Sequence, residues 1–180
     1  MTHCTNCGSV LESRVPPGDS HPRMVCPACG AIHYENPKLI VGCIPVWEGK
    51  ILLCKRAIEP RYGYWTLPAG FMENGETSAD GAARETLEEA GAQVKNLTPY
   101  TLIDVPYVHQ VHFFYRAELV SLDFASGEES LDVRLFSEDE IPWSELAFFT
   151  VIETLRHFVA DRKAGRFEFR QLQIRNKPVP

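Results

Sequence analysis

The sequence predicts an α/β fold in two parts, a cysteine-rich module over residues 1–33 and a larger domain over residues 34–180. Three observations carry this reading. Two C-x-x-C-G clusters fall within the first thirty residues. From Leu39 onward, apolar runs of strand length recur between turns containing Gly or Pro. Two segments, one opening at Thr77 or Ser78 and one at Thr150, have the composition and spacing of helices. A chain of 180 residues holds one ordinary domain plus a small appendage, and 44% hydrophobic with 23% charged residues is the balance of a globular protein.

Cys4-Thr5-Asn6-Cys7-Gly8 and Cys26-Pro27-Ala28-Cys29-Gly30 are separated by eighteen residues, the spacing of a four-cysteine zinc site. Four thiolates suit tetrahedral Zn²⁺ and leave no open coordination position, so the metal is structural. Between the knuckles few residues are apolar, chiefly Val10, Leu11, Val15, Met24 and Val25. So small a core does not fold unaided, and metal binding supplies the folding energy. A redox C-x-x-C or a disulfide pair is the competing reading. Cys43 and Cys54 lie alone in apolar runs as buried thiols, and this usage fits a reducing compartment. His3, His21 and His33 are read as surface or linker residues.

After the linker Tyr34–Lys38, Leu39–Val46 and Lys50–Arg56 form a hairpin around Trp47-Glu48-Gly49. A loop over residues 59–64 leads to a short strand at Trp65-Thr66-Leu67, and Pro68-Ala69-Gly70 turns the chain into the next segment. There Thr77 or Ser78 caps a helix rich in Ala, Leu and Glu, and Gly91 ends it. Gly81 inside this helix costs about 1 kcal/mol against Ala.

Glu85, Glu88 and Glu89 stand at i, i+3 and i+4 and so share one helix face. Carboxylates about 6 Å apart repel by about 3 kcal/mol per pair at an effective dielectric near 20. A divalent cation reverses that sign, and Mg²⁺ prefers such oxygen ligands, completing its shell with water and substrate phosphates. A solvated acidic face is the plain alternative.

Beyond the helix, residues 93–104 contain a strand interrupted near Thr98-Pro99, and residues 109–119 alternate. Val111, Phe113, Tyr115, Ala117 and Leu119 face one way, and His112, Phe114, Arg116 and Glu118 the other. Residues 121–130 form a polar loop carrying Glu128 and Glu129, and Leu131, Val133 and Leu135 mark another strand. Thr150 to Glu153 has the pattern of a capping box opening a second helix, with Val151, Ile152, Leu155, Phe158 and Val159 as its stripe and Gly165 as its stop. Residues 166–170 are read as a last edge strand.

The stretch GFMENGETSADGAARETLEEAGA resembles the signature of the Nudix hydrolases, G-x5-E-x7-R-E-U-x-E-E-x-G-U, with U a bulky aliphatic residue. Gly70, Glu76, Arg84, Glu85, Glu88, Glu89 and Gly91 match, whereas the two U positions hold Thr86 and Ala92. The resemblance implies an α/β/α sandwich with a mixed sheet. It also implies Mg²⁺- or Mn²⁺-dependent hydrolysis of a nucleoside diphosphate linked to a second group X. Glu85, Glu88 and Glu89 would be ligands, joined by the Gly70 carbonyl, and Glu76 and Arg84 would hold the loop–helix geometry. A loop base is often added in this family; Glu129 is the candidate, with Glu128 behind it. Arg61, Tyr62 and Tyr64 are candidate substrate contacts; Tyr62, Tyr64, Trp65 and Tyr107 are the aromatics able to stack on a ring, with core packing the commoner fate for Trp65.

The four-cysteine module of residues 1–33, read as a zinc ribbon, together with HYENPK, GYWTLPAGFMENGE and ESLDVRLF, looks like a subgroup of FAD and ADP-ribose pyrophosphatases. NADH pyrophosphatases also carry a ribbon, but add an SQPWPFP-like stretch after the signature, and residues 95–110 contain nothing like it. They are the alternative, as is a non-catalytic nucleotide-sensing regulator of the same fold. The expected partner is a nucleotide or dinucleotide, and many family members are homodimers. The net charge of −6 and the lack of a basic stripe in the ribbon argue against nucleic acid. No apolar run approaches membrane-spanning length and no signal peptide is visible, so a cytoplasmic location is expected.

Overall fold

The computed structural model describes residues 1–176, which divide into two compact units, 1–37 and 38 onward. In the first unit β1 (Glu12–Arg14), β2 (Arg23–Val25) and β3 (Ile32–His33) form an antiparallel sheet in that order. Its buried apolar side chains among the described residues are Cys4, Leu11, Pro16, Val25 and Cys26, a small core centred on the cysteine cluster. The sulfurs of Cys4, Cys7, Cys26 and Cys29 all lie within 4.8 Å of one another. The Cys4–Cys29 pair is at 3.7 Å and the Cys7–Cys26 pair at 3.4 Å. Such separations are far beyond a disulfide bond and near the edge of about 3.8 Å that tetrahedral Zn–S bonds of 2.3 Å require. The Cys29 amide donates to the Cys26 sulfur at 3.5 Å, and His33 Nε2 lies 3.4 Å from the Cys4 sulfur, so His33 sits at the cluster rather than on an open surface. A strong chelator should therefore unfold residues 1–37, read as loss of their amide protection; protection that survives chelation would show that protein contacts suffice.

The second unit is built on a mixed sheet. β4 (Lys38–Trp47) and β5 (Lys50–Arg56) form the hairpin, turned by Glu48 and Gly49, both at positive φ. β6 (Trp65–Thr66) pairs with β5, and β7 (Ala69–Phe71) pairs with the first half of β4. Helix α1 (Ser78–Ala90) follows, then β8 (Val94–Val105), β9 (Gln110–Leu119), β10 (Ser130–Phe136), helix α2 (Phe149–Ala164) and β11 (Arg170–Gln173). The strand order is β10-β5-β4-β9-β8-β11, with β4–β9 and β8–β11 parallel. Alternation along β9 separates two cores. Tyr115 and Ala117, with Phe113 against them, pack beside Val41, Cys43 and Ala82 on the α1 side, while Phe114 packs with Leu155 and Phe158 of α2.

The structure departs from several local expectations. α1 is capped by Thr77, which exchanges bonds with Asp80, and ends at Gly91 in the left-handed conformation. Gly81 is not a tolerated cost: a β-carbon there would come within 2.6 Å of Glu76 Oε1 and 2.9 Å of a Val41 methyl. Thr86 is wholly buried and donates to the Ala82 carbonyl at 2.8 Å, which satisfies its hydroxyl where the family pattern has an aliphatic residue. The expected box at Thr150 and Glu153 is absent. α2 starts two residues earlier, its N-cap is Phe148 with no side-chain bond, and Glu153 pairs with Arg156. The last strand lies at residues 170–173 rather than 166–170, because Arg170 is drawn into a fork on Asp161 of α2, at 2.5 and 2.6 Å. No helix among the described residues is long and apolar enough to cross a membrane.

Candidate active site

A cleft of about 1230 Å³ opens in the second unit. Its rim carries seven carboxylates, Glu59, Glu73, Glu85, Glu88, Glu89, Glu128 and Glu129, against three guanidinium groups, Arg56, Arg61 and Arg84. Such an excess of acid in one concavity suits a cation more than a bare phosphate.

α1 presents three of these carboxylates in graded environments. Glu89 is 7% exposed, Glu85 is half-buried and Glu88 faces solvent. Burial pushes the Glu89 carboxyl up to about 8, despite a bond at 3.2 Å from the Ala69 amide. Burial also raises Glu85, against the pull of Arg84. Gly70 has no side chain where one would overlap the Glu85 carboxylate, so that group lies against the backbone of β7.

Arg84 is the organising cation. Its Nε and Nη2 grip both oxygens of Glu76 at 3.0 and 2.9 Å, and its Nη1 reaches Glu85 at 2.8 Å and Glu88 at 2.9 Å. Nη2 also donates to the Phe71 carbonyl at 3.1 Å. Arg84 holds Glu76, with help from the Glu73 amide, down at about 2. The bidentate fork ties the loop after β7 to the helix, a tether stronger and more directional than an ordinary i,i+4 pair. The three helix carboxylates share the cleft wall but do not converge as tightly as the four cysteines do among the described residues.

The loop bearing Glu128 and Glu129 is clamped to the end of α1. The Ala125 amide donates to the Ala90 carbonyl at 2.9 Å and the Gly127 amide to the Glu89 carbonyl at 3.0 Å. The Ala57 amide donates to the Glu129 carbonyl at 2.8 Å. A β-carbon on Gly127 would overlap the Glu88 carbonyl oxygen, so only glycine permits this approach. The loop thus caps the carbonyls of the very turn whose side chains are the candidate ligands.

Arg61 lines the cleft, while Tyr62 and Tyr64 do not; Tyr64 lies under the Arg61 guanidinium, 5.3 Å from it. Trp65 is core, edge-on to Phe136. Residues not singled out from the sequence also line the cleft, notably Arg56, Gln110, His112 and Thr150. Arg56 stands 5.0 Å over the Phe148 ring, and its charge pulls Glu89 down against the larger effect of burial. Burial pushes the Cys43 thiol up to about 11 and raises Cys54 as well, so neither is a nucleophile at neutral pH.

Residues 36–161 match the NUDIX domain family model. The chain belongs to the Nudix family of hydrolases. Residues 2–35 match the zinc-ribbon family described as Nudix N-terminal. A Nudix hydrolase crystal structure from Nitrosomonas europaea is 51% identical, with a TM-score of 0.94 over 98% of this chain and 100% of that one. A structure from Streptococcus suis titled an ADP-ribose pyrophosphatase shares the fold at 22% identity, TM-score 0.59, covering 77% of this chain and all of that one. Among curated proteins, the NAD-capped RNA hydrolase NudC of Pseudomonas aeruginosa is 33% identical over 77% of this chain and 49% of its own length. The NudC of Chromobacterium violaceum is 29% identical over 86% of this chain and 57% of its own. The Nudix chain described here therefore spans about half the length of the curated relatives it matches.

Proposed function

We propose that this protein hydrolyses the diphosphate of a nucleoside diphosphate linked to a group X, with FAD or ADP-ribose as substrate, releasing AMP and phosphorylated X. The observation that carries the reading is the gathering of Glu85, Glu88, Glu89 and Glu129 on the wall of one large cleft. The donor set fits Mg²⁺ or Mn²⁺: it is all hard oxygen, and Glu89 is a carboxyl buried with a single backbone donor, an arrangement that a cation completes. When bound, the metal neutralises phosphoryl oxygens and lowers the pKa of a water.

The chain's own residues do the rest. Glu85, Glu88 and Glu89, with the Gly70 carbonyl, hold the metal, while Arg84 and Glu76 fix the turn that carries them. Glu129 accepts the proton of the attacking water, from a loop whose backbone is tied to the same helix. Arg61 contacts the substrate from the cleft wall, while Tyr62 and Tyr64, which lie outside the lining, would be met only by a group X that extends past the rim. Apolar side chains of the cleft, such as Ile40 and Phe114, exclude water around the bound dinucleotide.

The second reading is hydrolysis of NAD(H) or of NAD-capped RNA, favoured by the names of the curated relatives. Against it stands the absence of an SQPWPFP-like stretch from residues 95–110. AMP release from FAD, ADP-ribose, NADH and NAD-capped RNA with Mg²⁺ separates the two. FAD or ADP-ribose should lead by at least about tenfold in kcat/KM, a difference of about 1.4 kcal/mol. A lead for either NAD substrate would overturn the specificity. Binding of nucleotide without turnover would favour a regulator.

A further inference from the structure

Away from the carboxylates the cleft changes character. Alternation along β9 puts Gln110, His112 and Phe114 on its wall, and the first turn of α2 adds Phe149, Thr150 and Val151. His112 pairs in register with Ile40, and Ile40 with Phe71 of β7. Two strand spacings, about 10 Å, therefore separate His112 from the strand that carries Gly70, leaving room for a ribose between a phosphate and a ring. Ile40, Val105 and Ile174 complete an apolar lining.

Three polar side chains stand in this lining, and each has unused hydrogen-bonding capacity. His112 Nε2 and Gln110 Oε1 are 3.1 Å apart. The second ring nitrogen of His112 and the amide nitrogen of Gln110 have no protein partner among the described residues. Burial pushes His112 down to about 4, so at neutral pH it is an uncharged ring able to donate at one nitrogen and accept at the other. Thr150 is 5% exposed, and its hydroxyl is buried without a partner among the described residues. Thr150 stands in the first turn of α2, where no helical carbonyl lies four residues back to take its hydroxyl. An unpaired buried hydroxyl is a cost to folding, and valine would fill the same space without it. Folding alone gives no reason for a threonine here.

Flat apolar walls with a few convergent polar groups match a planar heterocycle, whose faces are apolar and whose edge carries donors and acceptors. We propose that this part of the cleft is the subsite for one heterocyclic ring of the substrate, and that Gln110, His112 and Thr150 read its polar edge. The assignment rests on the dinucleotide reading for its choice of ring, adenine or the ring of X. It gives a specificity role to residues beyond Arg61, Tyr62 and Tyr64.

The test measures binding of AMP and of FMN, separately, to the full chain and to Thr150→Val, His112→Phe and Gln110→Leu, with Mn²⁺ binding measured beside them. Weakening of AMP, of FMN or of both by at least about tenfold, with Mn²⁺ binding kept, supports the subsite. Loss confined to AMP assigns adenine, and loss confined to FMN assigns the flavin. Thr150→Val should also melt at or above the wild-type temperature without ligand, yet gain less from the probe, a combination that a purely structural hydroxyl does not produce. Variants that bind both probes like wild type overturn the proposal, as does a wild-type protein that binds neither. Variants that lose the probes together with Mn²⁺ also overturn it. Should no dinucleotide be hydrolysed while the variants still weaken a probe, the subsite stands and the pyrophosphatase reading falls. Unaltered turnover and probe affinity in all three variants would mean the reverse.

Discussion

Glu89→Gln is expected to remove turnover while leaving the metal-free protein as stable as wild type or more so. Glu89 is the most buried of the three α1 carboxylates. Gln keeps the shape and can still accept from the Ala69 amide, but it cannot offer a charge to a cation. Loss of several kcal/mol of charge stabilisation corresponds to a fall of about 10³-fold in kcat. The stability half follows from the raised carboxyl. A group whose folded value is about 8, against 4.5 ordinarily, leaves the metal-free fold at full stability below pH 4.5. That stability is lost progressively as the pH rises through about 8, because the charged form is the one that burial disfavours. Melting curves of metal-free wild type should therefore fall over that window, Mn²⁺ should reverse the fall, and Glu89→Gln should flatten it. A variant that keeps wild-type turnover, or one that shows the same pH-dependent melting, would remove Glu89 from the role given to it.

The second large effect is expected at a residue with no functional group. Gly127→Ala forces the loop away from the Glu88 carbonyl and with it moves Glu129 relative to the carboxylates of α1. A misplacement of about 1 Å can cost about 10²-fold in rate. The loss should fall on kcat rather than KM, since the substrate's distant contacts are untouched. A double-mutant cycle gives the decisive reading. If Gly127 acts through Glu129, then Gly127→Ala adds little to Glu129→Gln, whereas independent effects multiply. Multiplied effects, or an unchanged kcat in Gly127→Ala, would show that the clamp does not position the base.

Much of the architecture was legible because it is local. The hairpin around Trp47-Glu48-Gly49, the helix from Ser78 to Ala90 and its stop at Gly91 follow from turn chemistry, capping and composition over a few residues. The two-faced alternation of β9 likewise separates the α1 core from the α2 core. Local pattern failed where a distant contact overrode it. The Thr150–Glu153 pattern is a reasonable box, yet α2 begins at Phe149 with Phe148 as an uncapped N-cap. The last strand shifts because Arg170 is captured by Asp161. Gly81 reads as a small defect along the chain and proves to be the point where Glu76 and Val41 crowd the helix.

By itself the sequence determined the family, the two-part organisation, the four-cysteine cluster and the shared face of Glu85, Glu88 and Glu89. Each of these is written in spacings that helix, turn and metal geometry translate directly. Only the tertiary structure decided which residues meet in the cleft: Arg56 from β5, Gln110 and His112 from β9, Thr150 from α2, and the loop at Gly127 clamped to α1. Those residues are far apart in the chain, and their meeting depends on strand order and helix packing, which no local periodicity encodes.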